Sequence, residues 1–302
     1  MNSVILMSTY NGDKYLCEQL DSLLELEGHP DILIRDDGSS DNTIEIIKSY
    51  QLKYKNIKLI EGSNLGVVAS FFDLMQQVDI GKYNYYAFCD QDDFWETDKI
   101  SHAIKCIKEY KGAVMYCSTL NVVDASLHFQ FRSPYPENNL TLSNALVENV
   151  VTGCTCVLNA EAFGQIKSNL PATNRIVMHD WWFYLVMVST GSIYFDRESR
   201  IKYRQHGENV AGMKKTFSDI VQKFKKTKKS KYPPLLCQLH EYQRVCGGML
   251  TKVDNNKLRV FIEILEKRKM FRFLSLIMNK KIYRQSLANN LSLVYSFLTN
   301  RI

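Results

Sequence analysis

The chain has 302 residues, of which 45% are apolar and 23% are charged. These are ordinary globular values, and they exclude a disordered or fibrous protein. The length allows one large α/β domain or a domain with a helical extension. No apolar run reaches the roughly 18 residues of a membrane-spanning helix, and residues 1–7 lack the basic region of a signal peptide. We therefore expect a cytoplasmic protein, soluble or peripheral on the inner face of the plasma membrane.

The eight cysteines are scattered and show no repeated C-x-x-C spacing. Cys154 and Cys156 are close, but the histidines near them do not give zinc-finger spacing. The sequence therefore favours buried free thiols in a reducing cytoplasm over a zinc site.

The net charge of +6 hides an asymmetry between the two parts of the chain. Residues 1–212 carry 18 basic and 27 acidic side chains, a net of −9, whereas residues 213–302 carry 20 and 5, a net of +15. This asymmetry predicts two functional surfaces. We expect an α/β catalytic domain over 1–212 and a basic, mostly helical extension over 213–302.

Short apolar runs alternate with amphipathic stretches along the first half of the chain, a pattern typical of βαβ units. The predicted strands are 4–7, 32–34, 57–60 and 85–89, and the predicted helices between them start near residues 15, 41 and 67. Further strands, some antiparallel, are expected in 113–117 and 150–158. An aromatic helix at 181–188, a strand with a polar loop in 197–212 and a helical tail complete the prediction.

Such an open, mainly parallel sheet binds ligands at the carboxyl ends of its strands. Polar loops with Asn11, Asp37, and the pair Asp90 and Asp92 all follow predicted strands. Right-handed crossovers would bring these loops to one edge of the sheet.

The apolar run 85–89 ends in three carboxylates within four residues, Asp90, Asp92 and Asp93. Crowded, desolvated carboxylates repel each other, and a divalent cation such as Mg²⁺ or Mn²⁺ would relieve the repulsion and hold a diphosphate. The alternative is a solvated acidic turn that caps a helix beginning at Phe94 and Trp95.

Five segments in this order resemble the family 2 glycosyltransferases with a GT-A fold, a Rossmann-like mixed sheet flanked by helices. Within that family they are most similar to bacterial rhamnosyltransferase-like members. The segments are Ser8–Gly12, Arg35–Thr43, Asn64–Gly66, Asp90–Asp93 and His179–Trp182, with Tyr203–Gly207 as a further match.

The resemblance implies a donor site for a nucleotide sugar, dTDP- or UDP-linked. Thr9 and Tyr10 would line the base, and Asp37 would accept the N3–H of uracil or thymine, because a carboxylate is an acceptor only. Asp37 could instead form a turn before Gly38; Asp36 is expected to be structural. The nucleotide-binding set is Thr9, Tyr10, Asn11, Asp37, Asn64, Asp90 and Gln91.

The resemblance also implies a metal and a base. Asp92, and His206 from the far side, would ligate Mn²⁺ or Mg²⁺ at the diphosphate, while Asp93 would bind the metal's waters or cap the next helix. Asp180 would be the general base that deprotonates the acceptor hydroxyl, although it could also cap its helix. Sugar or acceptor contacts are assigned to Gly153, with packing as its alternative role, and to His179 (where many members carry Glu), Trp181 and Trp182.

The tail has eight lysines within residues 213–232, beside apolar residues at helical spacing. Basic amphipathic helices bind anionic membrane surfaces, and the acceptor would be a glycan or a lipid-linked oligosaccharide. Packing as a helical subdomain, or in a homodimer through the C-terminal helices, is the equal alternative. The acidic catalytic half and the lack of a nucleic-acid module argue against nucleic acid as a partner.

The sequence thus predicts a metal-dependent inverting glycosyltransferase of bacterial cell-surface polysaccharide synthesis. Rhamnose from dTDP-rhamnose is the first donor, followed by glucose, galactose or an N-acetylhexosamine from UDP. A nucleotidyltransferase of the same fold class and a non-catalytic nucleotide-sugar-binding subunit are the alternatives.

Overall fold

The structure is a computed structural model that describes residues 2–206, 235–266 and 282–299. Seven strands form the main sheet, in the spatial order β10-β6-β9-β4-β1-β2-β3. They are β1 (Ser3–Thr9), β2 (Asp31–Asp36), β3 (Ile57–Glu61), β4 (Tyr85–Cys89), β6 (Val114–Ser118), β9 (Val157–Asn159) and β10 (Ser192–Asp196). Neighbouring strands are parallel except at β9, which runs antiparallel to β4 and β6. The predicted Rossmann-like mixed sheet is confirmed.

Successive side chains of β1 and β4 are buried on opposite faces of this sheet, because neighbouring residues of a strand point to opposite sides. Val4 and Leu6 belong to one apolar cluster, and Ile5 and Met7 belong to another. Burial on both faces explains why these strands appear in the sequence as continuous apolar runs.

Helices cover both faces. In chain order they are α1 (Asp13–Leu24), α2 (Thr43–Lys53), α3 (Val67–Gln76), α4 (Lys99–Ile107), α5 (Leu142–Ala145), α6 (Ala160–Ser168), α7 (His179–Thr190), α8 (Leu235–Cys246), α9 (Lys252–Glu266) and α10 (Leu287–Thr299). Helices α1, α2 and α4 pack on one face, and α3, α6 and α7 pack on the other.

A second sheet has four short strands, in the order β5-β11-β7-β8. These are β5 (Phe94–Trp95), β7 (Asn121–Val123), β8 (Phe129–Arg132) and β11 (Ile201–Arg204). The expectation that a helix begins at Phe94 and Trp95 is therefore wrong. These residues pair with β11, and α4 begins four residues later. The pairing brings the acidic loop beside the end of β11.

The C-terminal helices share the core of the sheet. Leu239 and Tyr242 of α8, Phe261 of α9 and Leu293 of α10 are buried in the same apolar cluster as Trp182 of α7. The described part of the extension therefore packs against the catalytic half. The lysine cluster of 213–232 lies outside the described residues, and so does the proposed boundary at 212, so the division into two domains stays a prediction.

The loops after β1, β2 and β4 leave the same edge of the sheet, since these three strands are parallel neighbours. The expectation that these loops meet at one edge is confirmed. None of the helices in the three described ranges combines the length and the apolar character that crossing a bilayer requires.

Candidate active site

The acidic loop between β4 and β5 is crowded with carboxylates. Burial raises the pKa of Asp90, and the nearby negative charges of Asp92 and Asp180 raise it further. Asp180 comes from the start of α7, 90 positions along the chain from Asp90. The carboxylates predicted for the donor and for base catalysis therefore meet at one site.

Asp92 and His206 face each other. The Oδ2 atom of Asp92 lies 2.8 Å from Nε2 of His206, and both side chains are partly exposed. The His206 ring packs against the Tyr15 ring, with the ring centres 4.9 Å apart. His206, which follows β11, thus meets the acidic loop, with one carboxylate oxygen and one imidazole nitrogen side by side. The role of the two residues as metal ligands stays a prediction.

This pair has the chemistry of a divalent-cation site. Carboxylate and imidazole together suit Mn²⁺, and Mg²⁺ accepts one or two carboxylates with substrate phosphates. A cation would also relieve the repulsion that raises the pKa of Asp90. The residues present therefore fit the implied metal.

Asp93 lies deeper than the metal pair. It is fully buried, and Oδ1 accepts a hydrogen bond of 3.1 Å from the backbone N–H of Arg204. Helix α4 begins after Asp98, so the expectation that Asp93 caps the next helix is wrong. Ligand atoms of Asp90, Asp93 and Cys154 lie within 4.8 Å of one another, but burial raises the pKa of the Cys154 thiol. A protonated thiol is a poor partner for a hard cation.

Asp180 is held by three donors. Its Oδ1 accepts hydrogen bonds from Asn149 Nδ2 (2.9 Å) and the Trp181 backbone N–H (2.7 Å), and Oδ2 accepts one from the Gly153 N–H (3.1 Å). Burial nevertheless raises the pKa of Asp180 to about 6. The alternative role of Asp180 as helix cap is wrong, because the helix begins one residue earlier, with Met178 in the capping position. The arrangement gives an oriented carboxylate that is a stronger base than an ordinary aspartate.

His179 is a packing residue. Its ring lies 4.2 Å from the Phe71 ring, centre to centre, and burial lowers its pKa to about 3. A Cβ atom at Gly153 would come within 2.6 Å of His179 Nε2. Position 153 is therefore restricted to glycine by the imidazole, and the packing alternative for Gly153 is supported.

The two tryptophans of the motif differ. Trp182 is fully buried, donates from Nε1 to the Asn169 carbonyl (3.0 Å) and meets the Tyr242 ring edge-on. Trp181 is partly exposed, and its Nε1 donates to the Ala145 carbonyl (2.7 Å). A contact with sugar or acceptor stays a prediction for Trp181, whereas Trp182 and His179 lie inside the protein.

The loop after β1 is tied to the acidic loop. Gln91 Oε1 accepts from the Tyr10 backbone N–H (2.8 Å), and Gln91 Nε2 donates to the Tyr10 carbonyl (3.1 Å). Asn11 has a positive φ of 47° and accepts from the Ser40 N–H through Oδ1 (2.8 Å). Tyr10 is an exposed residue, with 47% of its surface accessible, so it is available to stack on a base.

Asp36 supports the loop after β2, as expected. It accepts hydrogen bonds from Thr9 Oγ1 (3.0 Å) and from the backbone N–H groups of Gly38 (3.1 Å) and Ser39 (2.8 Å). Thr9 is buried, so its hydroxyl serves this loop.

Asp37 is also held by the protein. Its Oδ1 accepts from Arg35 Nη1 (2.5 Å) and from the Leu65 N–H (2.8 Å), and Oδ2 accepts from the Gly66 N–H (2.8 Å). The side chain of Asp37 thereby joins the loop after β2 to the segment that contains the exposed Asn64. Contacts of Asp37 and Asn64 with a nucleotide stay predictions.

Two supporting residues were given no role by the sequence analysis. Asn149 holds Asp180, and Arg204 donates from Nε to the Asp92 carbonyl (2.9 Å) while its guanidinium lies over the Tyr15 ring at 4.5 Å. Asn149 follows no recognisable motif. Arg204 lies within the matched segment 203–207, but its burial depends on the second sheet, which was not predicted.

Helix α8 braces the chain that leads to Asp180. Gln238 Oε1 accepts from the Val177 N–H (2.8 Å), and Glu241 Oε1 accepts from the Ala172 N–H (2.7 Å). Both side chains are fully buried. The C-terminal extension therefore contributes to the position of the candidate base.

Several known proteins resemble this chain. A dTDP-rhamnosyl transferase, RfbG of Shigella flexneri, is 33% identical over 229 residues, which cover 70% of this chain and 75% of the relative. An uncharacterized glycosyltransferase of Rickettsia typhi is 26% identical over 265 residues, or 84% and 73% of the two chains.

Solved structures show the same fold. S. aureus TarS 1–349 in complex with UDP-GlcNAc superposes with a TM-score of 0.60 at 14% identity, over 94% of this chain and 82% of that one. The mannosyltransferase PcManGT from Pyrobaculum calidifontis, in complex with GDP-Man and Mn²⁺, gives 0.51 at 13% identity, over 100% and 81%. The predicted GT-A fold is confirmed. Residues 4–166 match the model of glycosyl transferase family 2, and the chain belongs to that family.

Proposed function

We propose that this glycosyltransferase is metal-dependent and inverting, and that it transfers a sugar from a nucleotide donor to a growing glycan in bacterial cell-surface polysaccharide synthesis. Rhamnose from dTDP-rhamnose is the first donor to test, because the relative at 33% identity is named a dTDP-rhamnosyl transferase. Glucose, galactose or an N-acetylhexosamine from UDP are the other donors, since TarS is described with UDP-GlcNAc.

The observation that carries the proposal is the meeting of Asp90, Asp92 and Asp180 at one site. The charges of Asp92 and Asp180 both act on Asp90, although Asp180 belongs to a different segment. Inversion requires a base on the face of the sugar opposite the leaving group, so the base and the diphosphate-binding carboxylates should come from separate elements. Asp180 lies on α7 and the acidic loop follows β4, which supports an inverting mechanism.

On the donor side, the exposed Tyr10 ring would stack on the base and Asp90 would approach the ribose. Asp92 and His206 would hold the divalent cation, which stabilises the charge of the departing nucleoside diphosphate when it is bound. Arg204 keeps the acidic loop in place through the Asp92 carbonyl. Gln91 fixes the loop that carries Tyr10.

On the acceptor side, Asp180 removes the proton from the attacking hydroxyl. Its carboxylate is ionised above a pKa of about 6, so it is ready to accept a proton near neutral pH. The donors Asn149, Gly153 and Trp181 fix the direction of its oxygens. A carboxylate with a pKa near the working pH is an efficient general base.

The direct test is a panel of donors: dTDP-rhamnose, UDP-glucose, UDP-galactose and the UDP-N-acetylhexosamines. Each is incubated with Mn²⁺ or Mg²⁺ and glycan acceptors, and release of nucleoside diphosphate is measured. We expect turnover with one donor, loss of turnover with EDTA and an inverted anomeric configuration in the NMR spectrum of the product. Retention of configuration, or turnover that resists EDTA, would contradict the corresponding part of the proposal.

The metal ligand is tested separately by Asp92→Asn. We expect the variant to fold and to lose metal-dependent binding of nucleoside diphosphate in calorimetric titrations, because a ligand oxygen is replaced by an amide. Glu109→Gln, a change at an exposed surface carboxylate, is the control. Binding by Asp92→Asn as strong as that of the control would exclude Asp92 as a ligand.

We also propose that residues 213–232 attach the enzyme to anionic membrane, where a lipid-linked acceptor would be found. Replacing Lys223, Lys225, Lys226, Lys228 and Lys229 by glutamine should release the protein from anionic liposomes, since each basic residue contributes about 1 kcal/mol. The matched control replaces the exposed lysines 53, 55, 58, 108 and 111. Unchanged sedimentation together with a lower Tm or a lost dimer would favour packing instead.

A further inference from the structure

A cluster of three ligand-type side chains lies outside the candidate active site. His102 and Cys106 are one turn apart on α4, so they share a face of the helix. Asp196 ends β10 and reaches the same point from the main sheet. The cluster thus connects the helix after the acidic loop with the edge strand of the sheet.

The distances within this cluster are close to those of a zinc site. His102 Nε2 lies 3.6 Å from Cys106 Sγ and 2.7 Å from Asp196 Oδ2, and all three ligand atoms lie within 4.8 Å of one another. On tetrahedral zinc, bonds of about 2.0 Å to nitrogen and about 2.3 Å to sulfur place those two atoms roughly 3.5 Å apart. The sulfur–nitrogen pair already has this separation. The nitrogen–oxygen pair has to open by about 0.6 Å.

We propose that His102, Cys106 and Asp196 bind Zn²⁺, with water as the fourth ligand. A thiolate, an imidazole and a carboxylate together match the borderline-soft character of zinc, whereas Mg²⁺ prefers oxygen alone. His102 and Asp196 keep 22% and 11% of their side-chain surface exposed, so an ion can enter from solvent. The site is separate from the Asp92 and His206 pair and does not depend on the proposed sugar transfer.

The surroundings of the cluster suit a bound cation. The Tyr116 hydroxyl donates to Asp196 Oδ2 (3.0 Å) and would orient this ligand from the outer shell. Burial raises the pKa of the Cys106 thiol. The thiol is therefore protonated in the absence of metal, and zinc binding releases that proton.

Zinc at this position would fix α4 to the end of β10. The acidic loop immediately precedes β5 and α4, and the chain after Asp196 continues into β11. The zinc ion would thus join α4, which follows the acidic loop and β5, to the chain that leads into β11. The spacing of cysteines in the sequence could not reveal this site, because it contains one cysteine and its third ligand lies 90 residues away.

The experiment uses full-length, tag-free protein that has been stripped of metal and titrated with Co²⁺ in the absence of donor. A thiolate ligand gives a sulfur-to-cobalt charge-transfer band, which oxygen and nitrogen ligands alone do not give. Co²⁺ bound by Asp92 and His206 would therefore not contribute to this band. We expect the band to reach full intensity at one equivalent of Co²⁺. It should disappear when excess Zn²⁺ displaces the cobalt. Cys106→Ser should abolish the band, whereas Cys17→Ser, at an exposed cysteine, should keep it.

Two further measurements decide the assignment. Zn²⁺ should slow alkylation of Cys106 at least tenfold, as measured by peptide mass spectrometry, and His102→Gln should remove this protection while the protein keeps its circular dichroism spectrum. Absence of the band in the wild-type protein, with no protection of Cys106, would show an ordinary hydrogen-bonded cluster. A band that persists in Cys106→Ser would place the thiolate elsewhere, for example at Cys154, and either result overturns the proposal.

Discussion

Two acidic loops follow parallel strands of the same sheet, and their carboxylates differ in how completely they are hydrogen-bonded. In the loop after β2, Asp36 and Asp37 accept hydrogen bonds on both carboxylate oxygens from neighbouring residues. In the loop after β4, Oδ2 of the buried Asp93 has no hydrogen-bond partner among the described residues. Ligand-type atoms of Asp90, Asp93 and Cys154 crowd within 4.8 Å of one another in this loop region.

The comparison separates carboxylates that hold the fold from carboxylates that the proposed cation would stabilise. Buried charges are stable when they are paired and fully hydrogen-bonded. Asp36 and Asp37 meet this condition within the chain, whereas Asp93 leaves one oxygen without a partner among the described residues. Burial and the charges of Asp92 and Asp180 raise the pKa of Asp90. Asp180 is intermediate, since it has three donors and still a raised pKa.

The largest effect is expected on turnover, from replacement of Asp180. Asp180→Asn should reduce turnover by about 10²–10⁴-fold, because the amide keeps the shape of the side chain but cannot accept the proton. Donor affinity, measured by calorimetry, should change little. Glu109→Gln should behave as wild type. A variant with near-normal turnover would show that another group is the base.

Replacing one aspartate in each loop should change the stability of the protein differently. Asp37→Asn removes the buried one of the two ion-pair partners of Arg35, so the free energy of unfolding should fall by about 3 kcal/mol. Asp90→Asn removes a repelled charge and should leave the metal-free protein as stable or more stable. Urea unfolding of both variants measures this difference. Equal losses would remove the distinction between the two loops.

The pH dependence follows from the raised pKa of Asp180. Activity requires the carboxylate, so kcat/KM should fall as the pH drops through about 6. The folded state holds this proton more tightly than the unfolded chain, whose aspartates titrate near pH 4. The contribution of Asp180 to stability is therefore full below about pH 4 and is lost as the pH rises to about 6. If kcat/KM fell only near pH 4, Asp180 would not be the base.

The smallest effect concerns a supporting donor. Asn149→Ala removes one of the hydrogen bonds that lower the pKa of Asp180, so the acid limb of kcat/KM should move to higher pH by about one unit or less. A purely structural role for Asn149 would lower Tm without moving the limb. Stopped assays from pH 5 to pH 8 beside thermal melts distinguish the two outcomes.

The local signals in the sequence were sufficient for the first four strands of the main sheet, whereas β10 was not predicted. Apolar runs of strand length and the polar residues after them located β1 to β4, and the order of the loops placed Asn11, Asp37 and Asp90 at one edge. These predictions succeeded because hydrophobic periodicity and the geometry of parallel sheets are local rules.

Other features depended on contacts between distant segments. Phe94 and Trp95 form a strand only because β11 pairs with them. The burial of His179 is set by Phe71 and by the missing Cβ of Gly153. Asn149 reaches Asp180 across 31 positions. No periodicity in a single segment carries information of this kind.

The brace from α8 has a consequence for synthesis of the chain. Gln238 and Glu241 hold the backbone at Val177 and Ala172, yet a ribosome makes them 61 and 69 residues after that backbone. A nascent chain that ends just after His206 would already contain Asp180 but would lack the helix that fixes the approach to the base. Competence for catalysis should therefore arise late in translation, after α8 has emerged and docked.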